Sequence, residues 1–112
     1  MNAVPRPLVP ARGRIYMVDL GPEAGGDKPF LVVSNNARNS RLGSCLAVRI
    51  TTSRKPPLAS IVELDARDPL VGRVLCDDIT LIYRDELRRD VGALALSTMT
   101  AVAAGLRSAL AL

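Results

Sequence analysis

Histidine is absent from this 112-residue chain. Without it the protein lacks the side chain best suited to proton transfer near neutral pH, and it also lacks the commonest zinc ligand. Nucleophilic triads that depend on a histidine base are excluded for the same reason. An enzyme made from this sequence must therefore work with Lys, Arg, Thr, Ser or carboxylates.

Aromatic residues are almost as scarce, since tryptophan is absent and only Tyr16, Phe30 and Tyr83 are present. The hydrophobic core must therefore be built mainly from aliphatic side chains. The same count disfavours RNA-binding modules that stack bases on rows of aromatic rings.

Cysteines are also few, and long apolar runs are absent from the sequence. Cys45 and Cys76 stand alone, form no zinc-binding pattern, and are predicted to be buried free thiols rather than a disulfide. No signal peptide and no membrane-spanning stretch is visible, so we expect a cytoplasmic protein without membrane contact. No motif calls for a metal ion or another cofactor, and none is expected.

The positive charges outnumber the negative ones, with 15 Lys and Arg against 11 Asp and Glu. This excess suits a surface that approaches phosphates, although its location matters more than its sum. The length predicts one domain, which we place at residues 12–112. Residues 1–11 contain three prolines and are predicted to form a flexible arm.

The remaining pattern predicts a mainly β protein with helices. Short β-branched or alternating runs indicate strands at 14–20, 29–34, 44–52, 61–64, 74–83 and 90–94. A short helix is expected at 35–42, with Ser34 or Asn35 as its cap and Gly43 at its end. A single helical turn or a charged turn is expected at 84–89. Ser97 is expected to cap a C-terminal helix that reaches Leu112, and the short antiparallel strands favour a compact, curled barrel.

Three segments in this order carry the strongest signal. They are Lys28-Pro29 followed by Leu31-Val32-Val33-Ser34-Asn35, the pair Thr51-Thr52, and Asp77 within the strand at 74–83. Together with an opening Arg12-Gly13-Arg14-Ile15-Tyr16 they resemble the MazF/PemK family of toxin endoribonucleases over residues 12–112. The order and spacing of the motifs are more specific than any one of them.

The resemblance implies an SH3-like antiparallel β-barrel with a short internal helix and a C-terminal helix, working as a homodimer. It implies metal-independent cleavage of single-stranded RNA that leaves 2′,3′-cyclic phosphate and 5′-OH ends. It also implies neutralisation by a MazE-like antitoxin with an acidic tail. The family's catalytic pair falls on Lys28 and Thr51, although the family usually carries Arg where this chain has Lys28.

The reaction itself explains why these residue types suffice. When a ribose 2′-OH attacks its own phosphate, the substrate supplies the nucleophile and the protein supplies charge, donors and a proton. Lys28 can act as a point charge or general acid, and Thr51 can donate to a phosphoryl oxygen. Arg49 lies two residues before Thr51 on the same strand face, so we predict that it makes the forked phosphate contact that Lys28 cannot make.

Further polar residues are candidates for RNA binding. Thr52, Ser53, Arg54 and Lys55 follow the catalytic threonine, and Asn35, Asn36 and Asp77 are possible contacts to the groove or to bases. Glu23 and Asp27 could repel RNA or accept a proton, and the sequence does not choose between these roles.

Two other functions remain open at this point. A CcdB-like toxin of the same fold would poison gyrase through protein contacts near its C-terminus, without the basic residue and threonine pair. A non-catalytic barrel would bind nucleic acid or peptide only. The presence of Lys28 and Thr51-Thr52 favours RNA cleavage over both.

Overall fold

The strand-forming runs fold into a single antiparallel sheet in the computed structural model of the chain, which describes residues 8–112. Its six strands are β1 (Arg14–Asp19), β2 (Asp27–Val32), β3 (Ser44–Thr51), β4 (Ile61–Glu63), β5 (Arg73–Tyr83) and β6 (Leu87–Ala93). Their order in the sheet is β4-β5-β3-β2-β1-β6, which leaves β4 and β6 at the edges. The predicted mainly β, antiparallel architecture is confirmed. The pairings found among the described residues do not join β4 to β6, so closure into a barrel is not part of this finding.

The short helix α1 spans Asn36–Leu42, close to its predicted limits. Asn35 caps it, because its side-chain oxygen accepts a hydrogen bond from the Arg38 amide at 2.8 Å. Gly43 ends it with a φ of 63°, a conformation that glycine adopts without steric cost. Both predicted ends of this helix are confirmed.

The C-terminal helix α2 spans Leu96–Leu110, but its expected cap was wrong. Ala95 occupies the cap position, and Ser97 lies inside the first turn, where its hydroxyl accepts from Arg67. The carboxylate of Asp68 takes the capping role from a distant loop. It accepts from the Ala95 amide at 2.9 Å and from the Thr98 hydroxyl at 2.8 Å. No helix among the described residues is long and apolar enough to cross a membrane.

The last strand is longer than the sequence predicted. A one-turn 3-10 helix covers only Arg84–Glu86, and β6 begins directly after it at Leu87. Leu87 is buried and is paired with Val18 of β1, whereas the charged residues after it are exposed. Burial of this one leucine explains why a segment rich in charge continues as a strand.

Residues 8–11 are held against the sheet. The Tyr16 hydroxyl accepts from the Ala11 amide at 3.1 Å and donates to the Val9 carbonyl at 3.2 Å. Leu8 packs against the core, and Pro10 is buried. The rest of the predicted arm, residues 1–7, lies outside the described residues, and the proposed boundary at residue 12 stays a prediction.

The sheet buries both of its faces. On one face α2 covers a cluster that we call the helix-side core, with Ile15, Leu31, Val48, Ile50, Val74, Cys76, Leu94 and Val102. On the other face strands from across the sheet contribute to the opposite core, with Tyr16, Val18, Phe30, Val32, Cys45, Ala47, Ile82 and Leu87. The sequence assigned only one deeply apolar face to β3, yet Cys45 and Ala47 on its second face are buried as well.

Both cysteines are buried free thiols, as predicted. Desolvation by burial raises the pKa of each thiol to about 11. The Cys76 thiol also lies 3.8 Å from the Val102 carbonyl of α2, to which it can donate weakly. The thiols therefore stay protonated and shielded in the folded protein.

We expect both thiols to resist iodoacetamide near neutral pH in the folded protein and to react fully in denaturant, because only the accessible thiolate is nucleophilic. The pKa is raised on folding, so this contribution to stability should be intact below the ordinary value of 9.0. It should be lost as the pH rises from there towards about 11. Mass spectrometry of labelled protein and urea titrations at several pH values measure both effects. Rapid labelling of the folded chain would contradict the assignment.

Candidate functional site

The register between β2 and β3 brings the predicted catalytic residues to one face of the sheet. Phe30 lies opposite Arg49 in the antiparallel pair. Lys28 precedes Phe30 by two residues and Thr51 follows Arg49 by two, so alternation keeps all four side chains on the same face. They continue the opposite core towards the end of the two strands, where apolar side chains give way to polar ones.

A groove of about 340 Å³ opens at this point. It collects Lys28, Arg49, Thr51, Thr52 and Ser53, five of the residues that the sequence singled out. The remaining lining comes from Pro29 and Ile50 of the same strands and from Leu70 and Val71 of the loop between β4 and β5. The groove is therefore basic on one side and apolar on the other.

Lys28 lies beside the loop that precedes β2. Its ammonium nitrogen is 3.4 Å from the place where a Cβ at Gly25 would sit, so the missing side chain leaves room for the lysine tip. Gly25 has a φ of +84°, which glycine tolerates and most residues do not. The loop is fixed at its start, where the Gly21 amide donates to the Asp19 carboxylate at 2.8 Å.

Arg49 is held by an aromatic ring rather than by an acid. Its guanidinium carbon lies 5.8 Å from the centroid of the Phe30 ring, within the range of a cation–π contact. Its Nε is buried and has no hydrogen-bond acceptor among the described residues. A buried donor without a partner is costly, and residues 8–112 of the folded chain leave this Nε unsatisfied.

The groove cations keep their charge unpaired. Within residues 8–112 the ion pairs are Arg14–Asp90, Arg67–Asp65, Arg73–Glu63 and Arg88–Asp19. Neither Lys28 nor Arg49 takes part in any of them. Two uncompensated positive charges in one concave site attract an anionic ligand more strongly than the same charges on a flat, salt-bridged surface.

The end of β3 orients the Thr51 hydroxyl. Its Oγ accepts a hydrogen bond from the Ser53 amide at 3.1 Å, which leaves the hydroxyl hydrogen available to donate to a ligand. Arg73, paired with Glu63, donates to the carbonyls of Thr52 and Ser53 at 3.5 and 3.3 Å. Arg73 thus holds the segment that positions Thr51, and the sequence analysis missed it.

The apolar wall of the groove was also missed. Gly72 has a φ of +137°, and a Cβ at this position would lie 2.5 Å from the Thr51 carbonyl oxygen. Only glycine allows this close approach, which places Leu70 and Val71 beside Thr51. The sole local signal was a glycine directly after two apolar residues in a loop.

Several predicted RNA contacts lie elsewhere. Asn35 caps α1, and the side-chain oxygen of Asn36 accepts from the Arg12 amide at 2.7 Å. Asp77 is exposed in β5, where the register with β3 shifts between Val48 and Ile50. The groove lining does not include Arg54, Lys55, Glu23 or Asp27; all four are exposed, and the first two directly follow Ser53 in the chain.

Among the described residues no three His, Cys, Asp or Glu side chains converge as a metal-binding group. Asp77 and Asp78 are both exposed neighbours on β5. Independence from metal therefore stays a prediction, to be tested directly by chelation.

Comparison with known proteins identifies the family. Residues 11–110 match the profile of the PemK-like, MazF-like toxins of type II toxin-antitoxin systems, and the chain belongs to this family. It is 41% identical over 103 residues to endoribonuclease MazF1 of Mycobacterium bovis and to endoribonuclease MazF4 of Mycobacterium tuberculosis. In both cases the match covers 92% of this chain and 94% of the relative.

Solved structures agree with this assignment. The fold is similar to a mycobacterial endoribonuclease in complex with its cognate antitoxin, with a TM-score of 0.86 and 41% identity over 92% of this chain and 96% of the other. It is also similar to the MazE-MazF structure (Form-II) from Deinococcus radiodurans, with a TM-score of 0.79 and 25% identity. That match covers 94% of this chain and 98% of the other.

A matched pair of variants tests the position of Lys28. Gly25 and Gly26 share nearly the same φ, +84° and +85°, but only Gly25 borders the lysine ammonium. We expect Gly25→Asn and Gly26→Asn to lower the free energy of unfolding by similar small amounts, roughly 1 kcal/mol, because asparagine tolerates this backbone region. Only Gly25→Asn should shift the side-chain NMR signals of Lys28. Equal signals in the two variants would place the lysine elsewhere.

Proposed function

We propose that this chain is a toxin endoribonuclease that cleaves single-stranded RNA in the groove between Lys28, Arg49 and Thr51. The observation that carries the proposal is the meeting of two unpaired cations and an oriented hydroxyl in one concave site. The names of its relatives, both called endoribonuclease, support the same activity.

The proposed reaction is an intramolecular transesterification. The ribose 2′ oxygen forms a bond to the adjacent phosphorus while the bond from phosphorus to the 5′ oxygen breaks. Water takes the 2′ proton, and the Lys28 ammonium gives a proton to the departing 5′ oxygen. The products are a 2′,3′-cyclic phosphate and a 5′-OH, and no metal ion takes part.

Arg49 and Thr51 are assigned to the charge that develops on the phosphorane. The guanidinium can contact two phosphoryl oxygens through a fixed planar fork, which a lysine ammonium lacks, and the Thr51 hydroxyl can donate to one of them. Lys28 stands where the family usually has Arg, and the charge of Arg49, which none of the ion pairs of the described residues compensates, supports its role in supplying the missing forked contact.

The RNA-binding surface is proposed to extend from the groove along Thr52 and Ser53 to the exposed charges of Arg54 and Lys55. Asn35 and Asn36 are left out of this surface, because their side-chain oxygens already accept backbone hydrogen bonds. Asp77 is left out as well, because it does not line the groove.

The partner proposed for the same groove is a MazE-like antitoxin with an acidic segment. A relative at 41% identity is solved in complex with its cognate antitoxin, which supports such a partner here. A homodimer and a cytoplasmic location remain parts of the proposal that rest on family resemblance.

The SH3-like barrel is the finer form of the fold that we propose. The opposite core supports it, because side chains from β1, β2, β3, β5 and β6 bury one another on one face of the sheet without a covering helix. Such mutual burial calls for strong curvature of the sheet.

Alanine variants of the groove test the activity. We expect Lys28→Ala and Thr51→Ala each to lower the rate of RNA cleavage by roughly 10²–10⁴-fold, in the range of lost acid catalysis or lost oxyanion stabilisation. Arg49→Ala should lower it by about 10²-fold or more. The wild-type protein should retain full activity in EDTA, and end analysis should show cyclic phosphate.

Arg41→Ala is the matched control, since Arg41 is exposed near the end of α1 and does not line the groove. If Arg49→Ala cleaved at the wild-type rate while the other two variants were inactive, Arg49 would have only a structural role. If the wild-type protein cut no long single-stranded RNA, the whole proposal would fail, and the gyrase-poison or non-catalytic alternatives would return.

A further inference from the structure

The apolar wall of the groove has no role in the reaction described above. Val71 is 84% exposed, more than almost every other large apolar residue among the described part of the chain. A fully exposed valine is not unusual by itself. This one stands at the rim of a basic groove, directly beside the strand end that carries Thr51.

Val71 is also held in place. The Gly72 backbone is pressed against the Thr51 carbonyl, and the Gly72 carbonyl accepts from the Leu64 amide at 2.9 Å. Leu70, the residue before it, packs against the helix-side core. The loop therefore fixes an outward-facing aliphatic side chain at a set position relative to the catalytic threonine.

A second pocket lies on the far side of this residue. It measures about 300 Å³ and shares Leu70 and Val71 with the basic groove. Its other lining residues are Leu64, Asp65, Ala66, Asp68 and Pro69. The two pockets therefore adjoin each other, and the Leu70–Val71 wall is their common boundary.

The two pockets differ in charge and polarity, as the phosphate and the base of a nucleotide do. The basic groove suits a phosphate, whereas the second pocket has apolar walls and its two acids already have partners. Asp68 accepts from Ala95 and Thr98, and Asp65 is paired with Arg67. An anion is disfavoured in this second pocket, and a flat, largely apolar ring is favoured.

The aromatic residues offer no alternative surface for a base. Tyr16 and Phe30 are buried, and Tyr83 lies at the opposite end of β5 from Arg73. Ten residue steps along a strand span roughly 33 Å, too far from the groove for a base next to the reacting phosphate.

We propose that Val71, backed by Leu70, is a nucleobase platform, and that the base flanking the scissile phosphate lies in the second pocket against it. This inference rests on the proposed function and adds the contact that contributes to substrate preference. Val71 acts in substrate binding and does not take part in the chemical step.

A short RNA that spans one mapped cut site tests the platform. Val71→Ser should raise KM by roughly three- to tenfold and leave kcat nearly unchanged, because an apolar contact present in both ground state and transition state is lost. The control Leu42→Ser removes another exposed apolar side chain, 63% exposed and outside both pockets, and should leave both constants unchanged.

Abasic RNA provides the decisive comparison. Removing the base on one side of the scissile phosphate should raise KM for the wild-type protein by a similar factor. The same removal should leave KM of Val71→Ser unchanged, because the variant has already lost the protein side of that contact. Effects that multiply for both flanks would overturn the platform. An unchanged KM in Val71→Ser would overturn it as well, while cleavage by the wild type upholds the proposed function. Absence of any wild-type cleavage would overturn the proposed function first.

Discussion

The antiparallel register that sets Phe30 opposite Arg49 is the constraint on which the groove depends. It aligns the start of β2 with the end of β3, and it does so on the face that carries the opposite core. A slip by one residue would turn Lys28 or Thr51 to the other side of the sheet and separate them. The contact between the Phe30 ring and the Arg49 guanidinium lies at the paired position itself, so the pair that the register brings together also holds a cation of the groove.

Within residues 8–112, four arginines are compensated by acids and Arg49 is not. Arg14, Arg67, Arg73 and Arg88 are each paired with an acid, and Arg73 uses its pair to hold the backbone next to Thr51. Arg49 is stabilised by a ring, which preserves its positive potential for a ligand. Because the chain has no histidine, the positive charge of the groove comes from Lys28 and Arg49, and Thr51 adds a neutral donor.

The sequence predicted the parts of this protein that depend on local pattern. Alternation along β3 correctly placed Arg49 and Thr51 on one face, and Asn35 and Gly43 correctly marked the ends of α1. Features set by contacts between distant segments were missed or misassigned. Asn36 is of a residue type that can read bases, but its side-chain oxygen accepts a hydrogen bond from the Arg12 amide, 24 residues earlier. Val71 and Gly72 have the sequence of an ordinary loop, and only the fold shows their close approach to Thr51. Ser97 was predicted to be the cap because the contact of Asp68 with Ala95 joins residues 27 positions apart.

That capping acid links the groove to the end of the chain. Asp68 binds the first turn of α2, while the residues directly after it form the apolar wall of the groove. The loop therefore should not open on its own, because releasing it would leave the Ala95 amide and the Thr98 hydroxyl without their acceptor at the start of a helix that covers the helix-side core. Although the wall is a surface loop with an exposed valine, a protease should cut it slowly, because opening the loop would also break the contacts of Asp68 with the start of α2.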